Sequence, residues 1–426
     1  MEKKGFSLLH LPLPIRVMGF LIIGLGLGLA FPKEPIVNYL YLSGTYFPKT
    51  IVTLAAFLIF NLLAGAMAKL LLYHKEKAGK MFGLILGMYV AMGGISLVYA
   101  TGWLSFLGDI PWSLPGHEVK GVGAWFSQIG GTFANILSQQ PLMQALLGAM
   151  AVGWVSARFK ALHPIAYSLI AMGDHILWFF KKLLWYYPIM IGCLAIAIPM
   201  KFGTKGLVLY GTAVLWVVIL TCSWVVLMML ATRYFTKRTW AQILGYYGTV
   251  YPTGFGTGGS YDTLAINIIS AEENLGLKPE VAEVSIVFGT VLNKNCSTMS
   301  VLVVTIIVSK LLNLPISMTE ILMLIPPVMI LGLESPGIPG GAGFFMSPII
   351  AVLLGVPDQS LYVMTFVAVF SGLIPMFSTA GNTTDDGVVG AFLQDRFGHM
   401  FMDDIKEVAE RLHAASSIAS AEGENA

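Results

Sequence analysis

The sequence predicts an all-α membrane protein with eight transmembrane helices plus two re-entrant helical hairpins. Its 426 residues are 56% hydrophobic and only 11% charged, whereas soluble domains carry about 25% charged residues. Apolar windows long enough to cross a bilayer recur along the chain. Between Tyr247 and Phe392, four apolar stretches are each interrupted by a small polar cluster. The clusters are Gly256-Thr-Gly-Gly-Ser-Tyr-Asp262, Asn293-Lys-Asn-Cys-Ser-Thr298, Glu334-Ser-Pro-Gly-Ile-Pro-Gly-Gly341 and Gly381-Asn-Thr-Thr-Asp-Asp-Gly387. Breaks of this kind free backbone amides and carbonyls, which hydrocarbon tolerates only where protein or a watery cavity surrounds them.

In chain order, helix one is expected at 13–31, helix two at 48–73, helix three at 79–101 and helix four at 140–158. Helix five follows at 165–199 as one span, and helix six at 206–233. Segments 239–274 and 321–354 hold too many helix breakers at their centres to cross in one piece, so each reads as a hairpin entering and leaving on one side. Spans 281–312 and 359–394 are crossing helices broken at their polar clusters. Segment 102–139 is polar and Gly-rich, an expected external excursion. The stretch 402–415 has Ile405, Val408, Ala409 and Leu412 at helical spacing opposite Lys406, Glu407, Glu410 and Arg411, which fits an amphipathic cytoplasmic helix before a disordered tail.

Charge bias orients this layout. Lys3, Lys4, Arg16, Lys69, Lys75, Lys77, Lys80, Arg158, Lys160, Arg233, Lys237 and Arg238 fall on one side, against a poorer set of Lys33, Lys49, Lys120, Lys201 and Lys205 on the other. The positive-inside rule then puts both termini in the cytoplasm of a multi-pass inner-membrane protein, with the first hairpin cytoplasmic and the second external. Opposed hairpins and paired broken spans match an inverted-repeat transporter core, with a solute and ion site inside the bilayer. The net charge of +2 argues against a nucleic-acid partner, and Cys193, Cys222 and Cys296 show no paired spacing for a disulfide framework or zinc site. The first apolar span ends at Leu29-Ala-Phe-Pro32 without a persuasive cleavage site and reads as a retained helix.

From about 239 to 395 the order of features resembles the dicarboxylate/amino acid:cation symporters, the glutamate-transporter fold. The run Gly259-Ser-Tyr-Asp-Thr-Leu-Ala265 corresponds to that family's Ser-rich first hairpin ending in Thr-Leu-Pro, and Glu273-Asn-Leu-Gly-Leu277 to its Lys-Glu-Met-Gly-Ile segment. The unwound Asn-Met-Asp-Gly-Thr motif falls on Asn293-Lys-Asn-Cys-Ser297, and the Gly-Val-Pro-Gly hairpin tip on Gly337-Ile-Pro-Gly340. The last helix carries Asn382 four residues before Asp386, as the family does, and Trp185-Tyr-Tyr-Pro-Ile189 looks like its helix-five segment. The resemblance implies a homotrimer in which each protomer's transport unit moves as an elevator, gated by the second hairpin. It implies a scaffold of residues 1–78 and 140–200, and a transport unit of 79–101 and 201–397, with 102–139 outside and 398–426 cytoplasmic.

Departures from the family bear on the solute and the ion. Where its acidic-amino-acid carriers have an Arg for the substrate carboxylate this chain has Ser378, and where they have an Asp for the ammonium it has Pro375. A hydroxyl does not replace a bidentate guanidinium–carboxylate pair. The motif's Asp is Asn295 and its Met is Lys294, which removes a carboxylate and adds an ammonium. The family's helix-three Thr-Ser pair has no clear equivalent near Met88-Tyr-Val-Ala91.

Asn382 and Asp386 lie one helical turn apart on one face. With Asn293 and Asn295 they are the candidate cation ligands, for a coupling ion read as Na+ or H+ and no other cofactor, or Asp386 is simply a buried acid satisfied by helix-end amides. Lys294 is a tethered cation in an ion site, a partner for a substrate carboxylate, or a partner for Asp385 or Asp386. Gly259, Ser260 and Thr263 either offer donors to a carboxylate from a helix start or cap the half-helices. Gly337, Ile338 and Gly340 form a flexible gate or simply a tight turn. Ser378, Thr379 and Asn382 complete the candidate solute-binding set with Lys294. Asp262 and Glu334 face the cavity or cap, Lys181 and Lys182 mark a bend or snorkel, and His175 pairs with Asp174.

The function expected is a secondary active symporter of a small carboxylate-bearing solute, a dicarboxylate or amino acid, and not an enzyme. A passive channel is the alternative, since broken hairpins also line pores. An intramembrane protease would need a His base or a second Asp in a Gly-x-Gly-Asp setting, and the clusters hold neither.

Overall fold

A computed structural model describes residues 13–74, 78–107, 110–113, 141–183, 186–335, 337 and 339–402. Those residues form helices and connecting turns with no strand among them. The elements are α1 Leu13–Ala30, α2 Pro35–His74, α3 Ala78–Leu107, α4 Pro141–Arg158, α5 His163–Leu183, α6 Tyr187–Ala195 and α7 Ala197–Phe235. They continue with α8 Trp240–Thr257, α9 Ser260–Glu273, α10 Pro279–Leu292, α11 Asn295–Leu311, α12 Met318–Glu334, α13 Gly341–Leu353, α14 Gln359–Phe370 and α15 Leu373–Met402. The amphipathic 402–415 stretch beyond Met402, residues 108–109 and 114–139 of the expected excursion, and Ile338 lie outside the described residues, while 102–107 continue helix α3.

Local chemistry starts the two candidate hairpins in the same way. Thr239 and Gln242 form a reciprocal capping box at the start of α8, and Ser317 and Glu320 form another at the start of α12. Each box satisfies two amides that a helix start would otherwise leave without partners. Gly258, with φ 62°, ends α8 in the left-handed region that glycine adopts without a Cβ clash. The chain then reverses into α9, which packs along α8.

Three of the four polar clusters contain the break expected of them: Gly258–Gly259, Asn293–Lys294 and Ser335–Gly340. The fourth does not. Helix α15 runs unbroken through Gly381–Gly387, and the span bends instead at Ser371–Gly372, by 68° between α14 and α15. Gly372 has φ 88° there. Thr383 and Thr384 return their hydroxyls to carbonyls one turn back, and Gly381 and Gly387 leave room for Cys296 and the Tyr246 ring. The cluster therefore serves close packing inside a continuous helix. Expected helix five is also not one continuous helix. It divides into α5 and α6, with Pro188 in the first turn of the new helix, where its missing N–H costs nothing. Helix α2 begins at Pro35 rather than 48, and α7 begins at Ala197 and kinks at Gly203.

By length and hydropathy, Gly83–Phe106, Ala197–Phe235 and Val284–Leu311 could each cross a membrane among the described residues, with the bent α14–α15 pair as a fourth span. One hydrophobic core cluster runs from α1 and α2 through to α15. Helix α2 lies against α4, α5 and α6, and α1 against α6 and α7. Helix α15 lies against α7, α8, α10 and α11, and α3 packs on α11 and α12. Helix α11 is buried on nearly every side, from Asn295 to Ser309, as expected of the innermost helix of a bundle.

Candidate functional site

The polar core forms where the α10–α11 break meets the middle of α15. Asn293, at the end of α10, donates its amide to the Asn382 carbonyl at 2.7 Å and to Asp386 Oδ1 at 2.8 Å. Tyr89 on α3 donates its hydroxyl to the Ser285 carbonyl at 3.1 Å and to Asp386 Oδ1 at 3.4 Å. Asn267 on α9 donates to the Thr383 carbonyl at 2.8 Å and to Asp386 Oδ2 at 3.4 Å. Tyr246 on α8 holds Asn267 in place through Asn267 Oδ1 at 2.6 Å. Four helices thus converge on one buried carboxylate, and Gly289 makes the approach possible, because a Cβ there would overlap both Asp386 and the Tyr89 hydroxyl.

Asn382 fastens α15 to the start of α11. Its Oδ1 accepts the amides of Cys296 at 2.8 Å and Ser297 at 3.4 Å, and its Nδ2 donates to Ser297 Oγ at 2.8 Å. The neighbouring Asp385 accepts Trp224 Nε1 and Asn295 Nδ2 on one oxygen, both at 2.9 Å, while its Oδ1 is buried without a protein partner. Lys294 pairs with neither carboxylate directly. Its ammonium donates to the carbonyls of Thr290 at 2.9 Å, and of Val291 and Asn293 at 3.1 Å.

Beside this core lies a narrow cavity lined by Ser260, Lys294, Ser297, Gly337, Thr379 and Asn382, among others, with about 10 Å³ of room for the centre of a water molecule. That is space for roughly one water. The two hairpin tips meet beside it: the Ser260 amide donates to the Gly337 carbonyl at 3.0 Å, and Gly340, at φ 75°, turns the second tip into α13. The residues that precede α9 and α13 are Gly259 and Gly340, so neither N-cap position offers a side chain, and the first turn of α9 holds Asp262.

Of the expected solute-binding residues, the structure brings Ser260, Lys294, Gly337, Gly340, Thr379 and Asn382 to this cavity. Gly259 lies at the tip, and Thr263 turns its hydroxyl to the Gly259 carbonyl and to Thr257 within the first hairpin. Ser378 points away, bonding Ser300 Oγ and the Ile374 carbonyl between α11 and α15. The expected cation set, Asn293, Asn295, Asn382 and Asp386, sits together in the core, with Asn295 turned toward Asp385. Among the described residues no group of three His, Cys, Asp or Glu side chains is placed to hold a metal ion. Sequence reading missed Tyr89, Asn267, Tyr246 and Ser297. Asn267 carried a visible signal, a lone amide in the apolar run Leu264-Ala-Ile-Asn-Ile-Ile269, which must find a polar partner in an apolar setting.

Broken helices gathered around buried, hydrogen-bonded polar groups are the mark of membrane transport proteins that carry a small solute. The sequence model of the sodium:dicarboxylate symporter family matches residues 13–396, and the chain belongs to that family. A comparison with curated proteins found no matching relative.

Proposed function

We propose that this chain is a secondary active symporter for a small carboxylate-bearing solute, driven by a gradient of Na+ or H+. One observation carries the solute class: two helix starts without side-chain caps, those of α9 and α13, meet at a cavity beside the buried Lys294 and the amide of Asn382. First-turn amides and the positive end of a helix dipole favour an anion, and a carboxylate presents two acceptors to such donors. The cavity contains no guanidinium, which favours a dicarboxylate held by amides and hydroxyls, or a neutral amino acid, over the acidic amino acids.

Eight crossings with two re-entrant hairpins, cytoplasmic termini in the cell membrane, and a homotrimer whose α3 and α7–α15 slide against a scaffold of α1, α2 and α4–α6 complete the reading. The packing of α2 against α4, α5 and α6, and of α15 against α7, α8, α10 and α11, supports this division, with α1 resting on α7 between the two. Coupling requires that the cation favour the closed, loaded state over the open one, because a ligand shifts an equilibrium only through differential affinity. The narrowness of the cavity, with room for about one water, supports a gate that must open to admit a solute. A thermal-shift screen of purified protein against dicarboxylates and neutral amino acids, with and without Na+, tests the reading. A carboxylate that raises the melting temperature more in Na+, or at lower pH, is expected. No shift with any carboxylate in either condition would remove the solute class.

A further inference from the structure

Lys294 follows the end of α10, and its side chain turns back over the helix that precedes it. The carbonyls it reaches, those of Thr290, Val291 and Asn293, belong to the last turn and cap of α10. A helix end leaves its last carbonyls without intrahelical partners and carries a negative partial charge. An ammonium has three N–H groups, and the three carbonyls use all of them. Lys294 is only 4% exposed. Main-chain carbonyls at the broken end of a helix inside a transporter are donors suited to an alkali cation.

A second observation stands apart from the first. Among the expected cation ligands, the oxygens of Asp386, Asn293 and Asn382 already accept hydrogen bonds from the protein, while Asp385 Oδ1 next to them does not. Asp386 accepts from Asn293, Tyr89 and Asn267; Asn293 Oδ1 accepts the Asn295 amide at 3.3 Å; Asn382 Oδ1 accepts two amides of α11. A positive charge is supplied by a covalently attached group on the residue after Asn293, which itself bonds Asp386.

We infer that the carbonyls of Thr290, Val291 and Asn293 form an alkali-cation site that the Lys294 ammonium fills permanently, sparing the chain one free cation. The cage itself does not depend on the symporter reading. Its consequence does: a coupling stoichiometry lower by one ion.

The test counts Na+ bound to purified protein by equilibrium dialysis with radioactive sodium, in wild type, Lys294→Met and Lys294→Gln, without solute. Each neutral variant is expected to bind one more Na+ per protomer than wild type, and its melting temperature in choline is expected to fall and to recover as Na+ is added. Equal Na+ binding in all three overturns the inference. Should neither variant fold in choline, purification in NaCl decides: recovery in Na+ supports the cage, and failure in every alkali salt overturns it. Absence of uptake in proteoliposomes would sink the symporter reading and leave the ion count untouched. An unchanged ion count would sink the cage and leave uptake untouched.

Discussion

Asn293 and Asp386, on different helices, share a hydrogen bond of 2.8 Å, and the same Asn293 amide group reaches the Asn382 carbonyl one turn away on α15. One side chain thus ties the broken end of α10 to both polar residues that face it. The break is held by this bond and by the Asn382 clasp on α11, and its geometry is fixed although its helical hydrogen bonding is interrupted.

Asp386→Asn should cost about 1–3 kcal/mol of stability, because an amide keeps one acceptor oxygen and turns its N–H donors against either Asn293 or Asn267, leaving buried donors unpaired. Cation dependence of uptake should weaken as well. Thermal unfolding and ion-activation curves measure the two effects, and unchanged ion activation would remove Asp386 from coupling.

Asp385→Asn should behave differently. Its Oδ2 can be replaced by an amide oxygen that still accepts from Trp224 and Asn295, and the partnerless Oδ1 no longer belongs to a buried carboxylate. The melting temperature is expected to hold or rise. A fall as large as that of Asp386→Asn would contradict this ordering.

Gly289→Ala should destabilise by about 1–3 kcal/mol, the usual range for overpacking a tight core. The added methyl would press on the Asp386 carboxylate and the Tyr89 hydroxyl. Combining it with Tyr89→Phe should recover part of the loss, and a double-mutant cycle reads the coupling directly.

Arg238→Ala should cost about 3–5 kcal/mol. The buried guanidinium pairs with Asp395 near the end of α15 and donates to the Leu275 carbonyl at 2.9 Å beyond α9. It therefore joins the connection between α7 and α8, the first hairpin and the last helix. Urea or thermal unfolding in detergent checks it.

The all-helical class, the three breaks at Gly258, Asn293 and Ser335, and the shared face of Asn382 and Asp386 could be read from the chain because each rests on local chemistry: glycine turns, unpaired backbone and helical spacing. The Gly381–Gly387 cluster misled for the opposite reason. Its glycines and threonines look like breakers alone, but in α15 they admit Cys296 and Tyr246 and bond back to their own helix, facts that depend on neighbours far away in sequence. The true bend at Ser371–Gly372 carries no proline and only one glycine, too little to stand out. Tyr89, Tyr246 and Asn267 reach the site from three other helices, so no spacing rule joins them. Lys294 left three roles open in the sequence, and its carbonyl partners became visible only with the chain folded.

The proposed function has the narrow cavity beside Asn382 serve concentrative, ion-coupled transport. Uptake of a labelled carboxylate into proteoliposomes, with and without an inward Na+ or H+ gradient, tests it most directly. The account predicts accumulation above equilibrium that collapses when the gradient is dissipated, and its loss when Ser260→Cys and Gly337→Cys are cross-linked in a background lacking Cys193, Cys222 and Cys296. Flux that never exceeds equilibration, with or without a gradient, would contradict it and point to a passive pore.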